Sequence, residues 1–358
     1  MKNLDNLQSI KKLDPGKVLD SIEMLGEQIN QTWQEFKQFS LSKSYKQVDN
    51  VLINGMGGSA LGPHLLYSLF SEQLKVPFRV INSYQLPASL NKKTLYIVSS
   101  YSGNTEEPLE TIAEAKKRGA KIFGISSGGK LAKMIKQKKI PGYVFEPTFN
   151  PSDQPRMGLG YSLAAHIALF KKLGLIKVSN NEIKNILILI DKLQSQFGVY
   201  KASKNNLAKK MAKDLVGKIP IIVSSGFLSA NSHVFTNQIN ENAKNFANYF
   251  LISELNHHLL EGLSFPKANR QFLMFVFFES KLYYSKNQIR HKITKKVLTK
   301  NRIKSLSYSL KSNTKILQAM EMLIFGSYVS FYLAILNNIN PSKIPWVDYF
   351  KAELKKAS

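Results

Sequence analysis

From residue 15 to residue 43 apolar side chains recur at three- and four-residue intervals. Val18, Ile22, Leu25, Ile29 and Trp33 form one stripe, and Asp14-Pro15 supplies a helix start. Beyond it the pattern changes to short apolar runs separated by Gly/Ser-rich turns and helical segments. The runs predict strands at Val51–Asn54, Phe78–Asn82, Thr94–Ser99, Lys121–Ile125 and Tyr143–Glu146, with a helix over Glu107–Arg118. Near-continuous apolar strands alternating with helices point to a doubly wound parallel sheet. A second series opens near Lys218, with strands expected at Ile219–Ser224, Tyr249–Ser253 and Phe272–Phe278. Between the two series, Pro147–Arg156 (PTFNPSDQPR) is dense in proline and polar residues and reads as a linker, with a helix over 157–173 opening the second half. VLINGMGGS and IIVSSGFLS repeat the strand-then-Gly/Ser opening. The expectation is a tandem of two related α/β domains: 1–155, N-terminal helices plus the first, and 156–358, the second with C-terminal helices. The most apolar run, Met322–Leu336, is shorter than the ~20 residues of a membrane span and predicts a buried helix.

Composition changes this picture in two places. Among 358 residues there are 50 Lys plus Arg against 24 Asp plus Glu, a net charge of +26 that invites a polyanionic partner. Yet 44 of the basic residues are lysine and only 6 arginine, the residue favoured for bidentate readout of bases and phosphates. Residues 281–315 concentrate eleven Lys/Arg with no Asp or Glu, interleaved with Tyr283, Tyr284 and Tyr308. That stretch reads either as a nucleic-acid surface or as a solvated, lysine-coated face, and no nucleic-acid-binding motif accompanies it. The chain has no cysteine, which removes disulfides, thiolate metal sites and cysteine nucleophiles and fits a cytoplasmic protein. The first sixteen residues carry no secretory signal, and neither a membrane nor a nucleic-acid partner is expected.

Four motifs carry candidate chemistry. Gly55–Gly62 (GMGGSALG) follows a strand and opens a helix, where glycines let backbone N–H groups approach an anion or simply permit tight packing. It lacks the third glycine of a dinucleotide fingerprint, and Asn82 stands where a ribose-binding acid belongs. Ser99–Glu107 (SSYSGNTEE) places several hydroxyls at a second helix start; one of them is explained by an N-cap, three suggest a phosphate cradle. Gln154-Pro155-Arg156 offers a guanidinium for a developing oxyanion or for an inter-domain ion pair. Finally, Asn237–Gly262 holds Glu241 and, sixteen residues on, His257-His258, the residue types that shuttle protons on a sugar phosphate.

In this order and spacing, GMGGS, SSYSGNTEE, QPR…LGY and INENAK…ELNH resemble the bifunctional phosphoglucose/phosphomannose isomerase family, built from two sugar-isomerase (SIS) domains. The resemblance implies an aldose–ketose isomerase acting on glucose 6-phosphate, fructose 6-phosphate and mannose 6-phosphate through a cis-enediolate. It implies that Gly57, Gly58 and Ser59 approach the sugar and that Ser100, Ser102 and Thr105 hold its phosphate. By the same resemblance Arg156 stabilises the enediolate, Glu241 moves the proton between C1 and C2, and Lys351 lines the site. His257 assists ring opening from the partner subunit of a homodimer. No cofactor is implied and no metal, and the six histidines show no metal-ligand spacing. The chain departs from the family pattern at Pro108, at His64 and in its diverged ending INPSKIPWVDYFK. The alternative reading is a non-enzymatic SIS regulator, which has no need of Glu241, Arg156 and His257 together.

Overall fold

The computed structural model describes residues 3–357, which divide into two compact units. One is contiguous, Met24–Ile188; the other joins the N-terminal segment up to Glu23 to the chain from Leu189 onward. In chain order the segment before Glu23 holds α1 (Leu7–Leu13) and α2 (Val18–Glu23). Asp14 does start a helix: its carboxylate accepts the Val18 and Leu19 N–H groups at 2.9 and 2.8 Å. The single helix that the spacing suggested is broken at Met24, and α3 (Leu25–Gln38) resumes in the other unit.

That contiguous unit continues with β1 (Asn50–Asn54), α4 (Gly58–Phe70), β2 (Phe78–Ile81), β3 (Thr94–Ser99), α5 (Glu106–Lys117), β4 (Lys121–Ser126), α6 (Gly129–Lys136), β5 (Gly142–Val144) and α7 (Leu159–Leu173). The five strands form one parallel sheet in the order β2-β1-β3-β4-β5. Every residue of β3, the central strand, is buried, as an apolar run covered on both faces requires. One layer of the core sets Leu52, Tyr96, Val98 and Ile122 of the strands against Ile112, Ala115 and Leu131 of α5 and α6. α3 and α4 both pack on α7.

The division therefore does not fall at 155/156, because α7 completes the layer on the first sheet. Nor is Pro147–Arg156 a linker. Asn150 Nδ2–H donates to the Tyr101 hydroxyl at 2.7 Å and to the Gln154 carbonyl at 3.0 Å. Gln28 Nε2–H donates to the Phe149 and Met157 carbonyls at 2.9 and 3.0 Å. The segment is irregular backbone fully tied into its unit, as buried polar groups must be.

The chain passes through α8 (Asn180–Phe197) into the second unit: α9 (Leu207–Leu215), β6 (Ile219–Ser225), α10 (Ser229–Ala243), β7 (Asn248–Ile252), α11 (Leu255–Gly262), α12 (Asn269–Phe272), β8 (Leu273–Glu279), α13 (Ser285–Lys300), β9 (Lys304–Ser309), α14 (Lys315–Leu336) and α15 (Pro345–Ala357). Its sheet is again parallel, in the order β7-β6-β8-β9. α14 contains the apolar run and is long and apolar enough to cross a membrane, yet it is buried within its own unit against α9 and α10. Its polar side chains are met inside: Glu321 accepts the Lys311 and Ser312 N–H groups and the Tyr308 hydroxyl, and Ser327 and Ser330 bond Gln238 and Asn242 of α10. The lysine-rich stretch folds as α13 and β9. β9 is a strand the sequence pattern did not reveal, since only Tyr308 of its six residues is buried. Tyr283 and Tyr308 are core residues, 5% and 6% exposed, and so are not presented for stacking on bases.

Candidate functional site

Most of the predicted site residues meet at the carboxyl ends of β1 and β3. These are the neighbouring strands from which the sheet is wound in opposite directions, the place where open α/β sheets bind ligands. Gly57, with φ +49°, ends the loop after β1 and begins α4. Gly58 must be glycine because a Cβ would stand 2.9 Å from the Arg156 nitrogen and from the Pro155 carbonyl carbon. That close approach lays the Pro155–Arg156 backbone on the start of α4. Ser59 is buried, and its hydroxyl accepts the Tyr101 N–H at 2.8 Å, while Ser99 Oγ donates to the Ser59 carbonyl at 3.0 Å. The two loops are thereby stitched to each other.

In the loop after β3, Ser100 is fully buried and its hydroxyl is spent inside the loop. It accepts the Gly103 and Thr105 N–H groups at 3.1 and 3.4 Å and lies 2.7 Å from Thr105 Oγ1. Gly103, at φ +68°, has the Gly128 carbonyl oxygen 1.7 Å from where a Cβ would be, so no other residue fits. Asn104 Oδ1 accepts the Lys130 N–H at 3.0 Å and ties the loop to α6. Ser102 is exposed and Thr105 half-buried at the start of α5, where backbone N–H groups and the helix dipole favour an anion. Pro108 sits in the first turn of α5, where its missing N–H is harmless.

Arg156 is 1% exposed, and its Nη1–H donates to Gln154 Oε1 at 2.8 Å. Its backbone lies on the start of α4 and is held by the turn Asn150–Met157. Its orienting groups were not visible in the sequence as such: Gln28 and Asn150 hold the turn, and Tyr101, whose hydroxyl burial pushes up in pKa, accepts from Asn150. Asn82, noted only for not being acidic, donates its Nδ2–H to the Gly55 carbonyl and pins the first loop.

The remaining predicted residues lie in the other unit. Glu241 is half-buried in the last turn of α10. His257 is exposed in the first turn of α11, which follows β7. α10 runs back along the sheet, so Glu241 stands at the amino ends of the strands and His257 beyond their carboxyl ends. The five residues of β7 separate those edges by about 16 Å. One chain therefore does not bring Glu241 and His257 together within this unit. Lys351 is exposed on α15, a helix with no buried residue, beside Trp346, Tyr349, Phe350 and Leu354 on one face. Among the described residues no group of three or more His, Asp or Glu side chains is placed to hold a metal ion.

Comparison with known proteins decides the family. The chain is 34% identical over 341 residues to the bifunctional phosphoglucose/phosphomannose isomerase of Caldicellulosiruptor bescii, covering 94% of this chain and 98% of that protein. It belongs to that family. The enzyme of the same name from Aquifex aeolicus is 27% identical, over 90% of this chain and 96% of its own. Residues 204–354 match the family of the bacterial phospho-glucose isomerase C-terminal SIS domain. Among solved structures, a hypothetical protein from Thermus thermophilus has the same fold, with a TM-score of 0.75 at 15% identity over 98% of this chain and 94% of that one. As a member of this family, the chain carries its two SIS-type sheets in the two units described above.

Proposed function

We propose that this protein interconverts glucose 6-phosphate and fructose 6-phosphate, and acts on mannose 6-phosphate as well. The observation that carries this reading is the stitching together of the loops after β1 and β3, with Ser102, Thr105 and the α5 amino end in one and the Pro155–Arg156 backbone laid on the start of α4 at the other. In this reading the hydroxyls and amides at the α5 amino end form a phosphate cradle, and Arg156 is the cation of the site. In this reading Ser100 shapes the cradle, and Ser102 and Thr105 bond the phosphate. Gly57, Gly58 and Ser59 let the sugar lie close to the first loop.

His257 passes a proton between the ring oxygen and the C1 hydroxyl to open the pyranose. The Glu241 carboxylate then removes the C2 proton of the aldose and returns it to C1. The electron pair moves onto the carbonyl oxygen, Arg156 stabilises the resulting cis-enediolate, and the proton of the C2 hydroxyl passes to O1 as C1 is reprotonated, which leaves the carbonyl at C2. C2 loses its stereochemistry in that intermediate, so glucose and mannose 6-phosphates lead to the same species, and one carboxylate serves both. Lys351 adds positive charge to the site.

We further propose a cytoplasmic homodimer in which the partner supplies His257. The separation of Glu241 and His257 along one sheet supports it, as does the aromatic face of α15, with Trp346 79% and Phe350 65% exposed.

A coupled assay for glucose 6-phosphate formed from fructose 6-phosphate tests the enzymatic reading. Turnover is expected, undiminished by EDTA, and reduced about 10³-fold in Glu241→Gln. Equal rates in the two proteins overturn it.

A further inference from the structure

The amino end of α5 brings together groups that compete for the same place. Thr105 stands at the cap position, but its hydroxyl is engaged with Ser100 and makes no capping bond. Pro108 has no N–H to offer. The N–H groups of Glu106 and Glu107 are left, and among the described residues neither finds an acceptor. They are the donors that a bound phosphate needs. Yet both residues also carry a carboxylate, and an acid in the first turn of a helix is itself drawn to that end. An anionic ligand therefore meets two rivals of its own charge.

One of the rivals is tethered. Tyr84, in the loop after β2, donates its hydroxyl to Glu106 Oε2 at 3.1 Å. The phenol stays protonated: desolvation first, then the bond to Glu106 and the charges of Glu107, Glu106 and Glu110 raise its pKa from the ordinary value. The backbone that presents Tyr84 is held on both sides. Asn82 Nδ2–H donates to the Gly55 carbonyl, Asn54 Nδ2–H to the Ser83 carbonyl at 2.9 Å, and the Gln85 N–H to Ser83 Oγ at 3.0 Å. Leu86 packs into the core beneath α5, and Arg118 Nη1–H donates to the Pro87 carbonyl at 2.9 Å.

The direction of the pull follows from the strand order β2-β1-β3-β4. Tyr84 draws Glu106 towards the β2 side of α5. On the other side Asn104 Oδ1 accepts the Lys130 N–H, and the Gly103 carbonyl accepts the Leu131 N–H at 3.0 Å. The Ser102 carbonyl lies 2.4 Å from where a Cβ on Gly129 would be, so Ser102 is held against the loop after β4. Ser102 and the tethered carboxylate thus stand on opposite sides of the helix end.

We propose that Tyr84 is a positioning residue for the substrate, a role that rests on the reading of the α5 amino end as a phosphate cradle. Its hydroxyl holds the Glu106 carboxylate to the β2 side and leaves the free N–H groups of α5 to the phosphate of the sugar.

Calorimetric titration of the full chain with sorbitol 6-phosphate, an open-chain sugar phosphate with no carbonyl to isomerise, tests this apart from turnover. Tyr84→Phe removes only the hydroxyl and is expected to weaken binding about three- to tenfold, because the freed carboxylate competes for the helix end. In a Glu106→Gln background the same change should have no effect, since no charge is left to restrain. Glu107 is present in all four proteins and cancels. In turnover, KM for fructose 6-phosphate should rise by the same factor with kcat unchanged. A Tyr84→Phe protein that binds like its parent overturns the proposal, as does a parent that does not bind. Equal weakening in both backgrounds overturns it too, being what a merely structural tyrosine gives. Binding in the expected pattern without turnover leaves the role of Tyr84 standing and removes the isomerase reading instead.

Discussion

Two serines two positions apart illustrate what a single residue contributes. The sequence presents Ser100 and Ser102 as equals, since both are hydroxyls at a helix start. Only the three-dimensional path shows that Ser100 faces inward, bonding Gly103, Thr105 and the Thr105 hydroxyl, while Ser102 stays exposed. Their alanine variants should therefore fail differently. Ser100→Ala removes a buried acceptor from two N–H groups and should lower stability by about 1–3 kcal/mol, measured by urea unfolding. Ser102→Ala should leave unfolding unchanged and raise KM about tenfold, as loss of one hydrogen bond to a charged phosphate implies. Arg156 was legible because arginine is rare here; its deep burial was not, since nothing in QPR says that Gln154 and Asn150 would enclose it. Arg156→Lys keeps the charge but loses the planar fork and the bond to Gln154, so kcat should fall 10²- to 10³-fold with the fold retained by circular dichroism.

At the scale of elements, every strand with a continuous apolar run was readable, from Val51 to Phe278, because such runs belong to sheets covered on both faces. β9 escaped because it is an edge strand in which serine alternates with Lys304, Leu306 and Tyr308, so that it carries no continuous apolar run. The segment Pro147–Arg156 misled for another reason. Proline and polar side chains mark irregular backbone, but irregular backbone can be interior when enough side chains reach its carbonyls. Gln28 of α3 does this for Phe149 and Met157, and its own Oε1 accepts the Gly160 N–H at 3.0 Å. Gln28→Leu strands those buried groups and should cost about 2–4 kcal/mol in chemical unfolding, with activity falling in the variant molecules that still fold, because the Arg156 turn loses its support.

For the whole molecule the charge of +26 is a surface property rather than a site property, as only Arg156, His257 and Lys351 of the basic groups are given roles in the reaction. pH acts on the fold through groups that are not on the surface. His166, entirely buried on α7, and His291 are both held near a pKa of 4, below the ordinary 6.5, chiefly by burial. Between those values the unfolded chain takes up protons that the folded chain refuses. Stability should therefore be complete above about pH 6.5 and decline as pH falls towards 4, by at most ~3 kcal/mol per histidine. Urea midpoints from pH 7.5 to 4.5 measure this, and His166→Phe should flatten the decline. The two tryptophans make a different quantity observable. Trp33 is 5% exposed on α3 and Trp346 is 79% exposed on α15, so one emits from an apolar interior and the other from water. Their fluorescence is a two-component spectrum without any label, its blue part reporting the contiguous unit and its red part the carboxyl-terminal helix. If a second copy covers α15, dilution alone will shift the red component, and the concentration at which it moves is the dissociation constant of the pair.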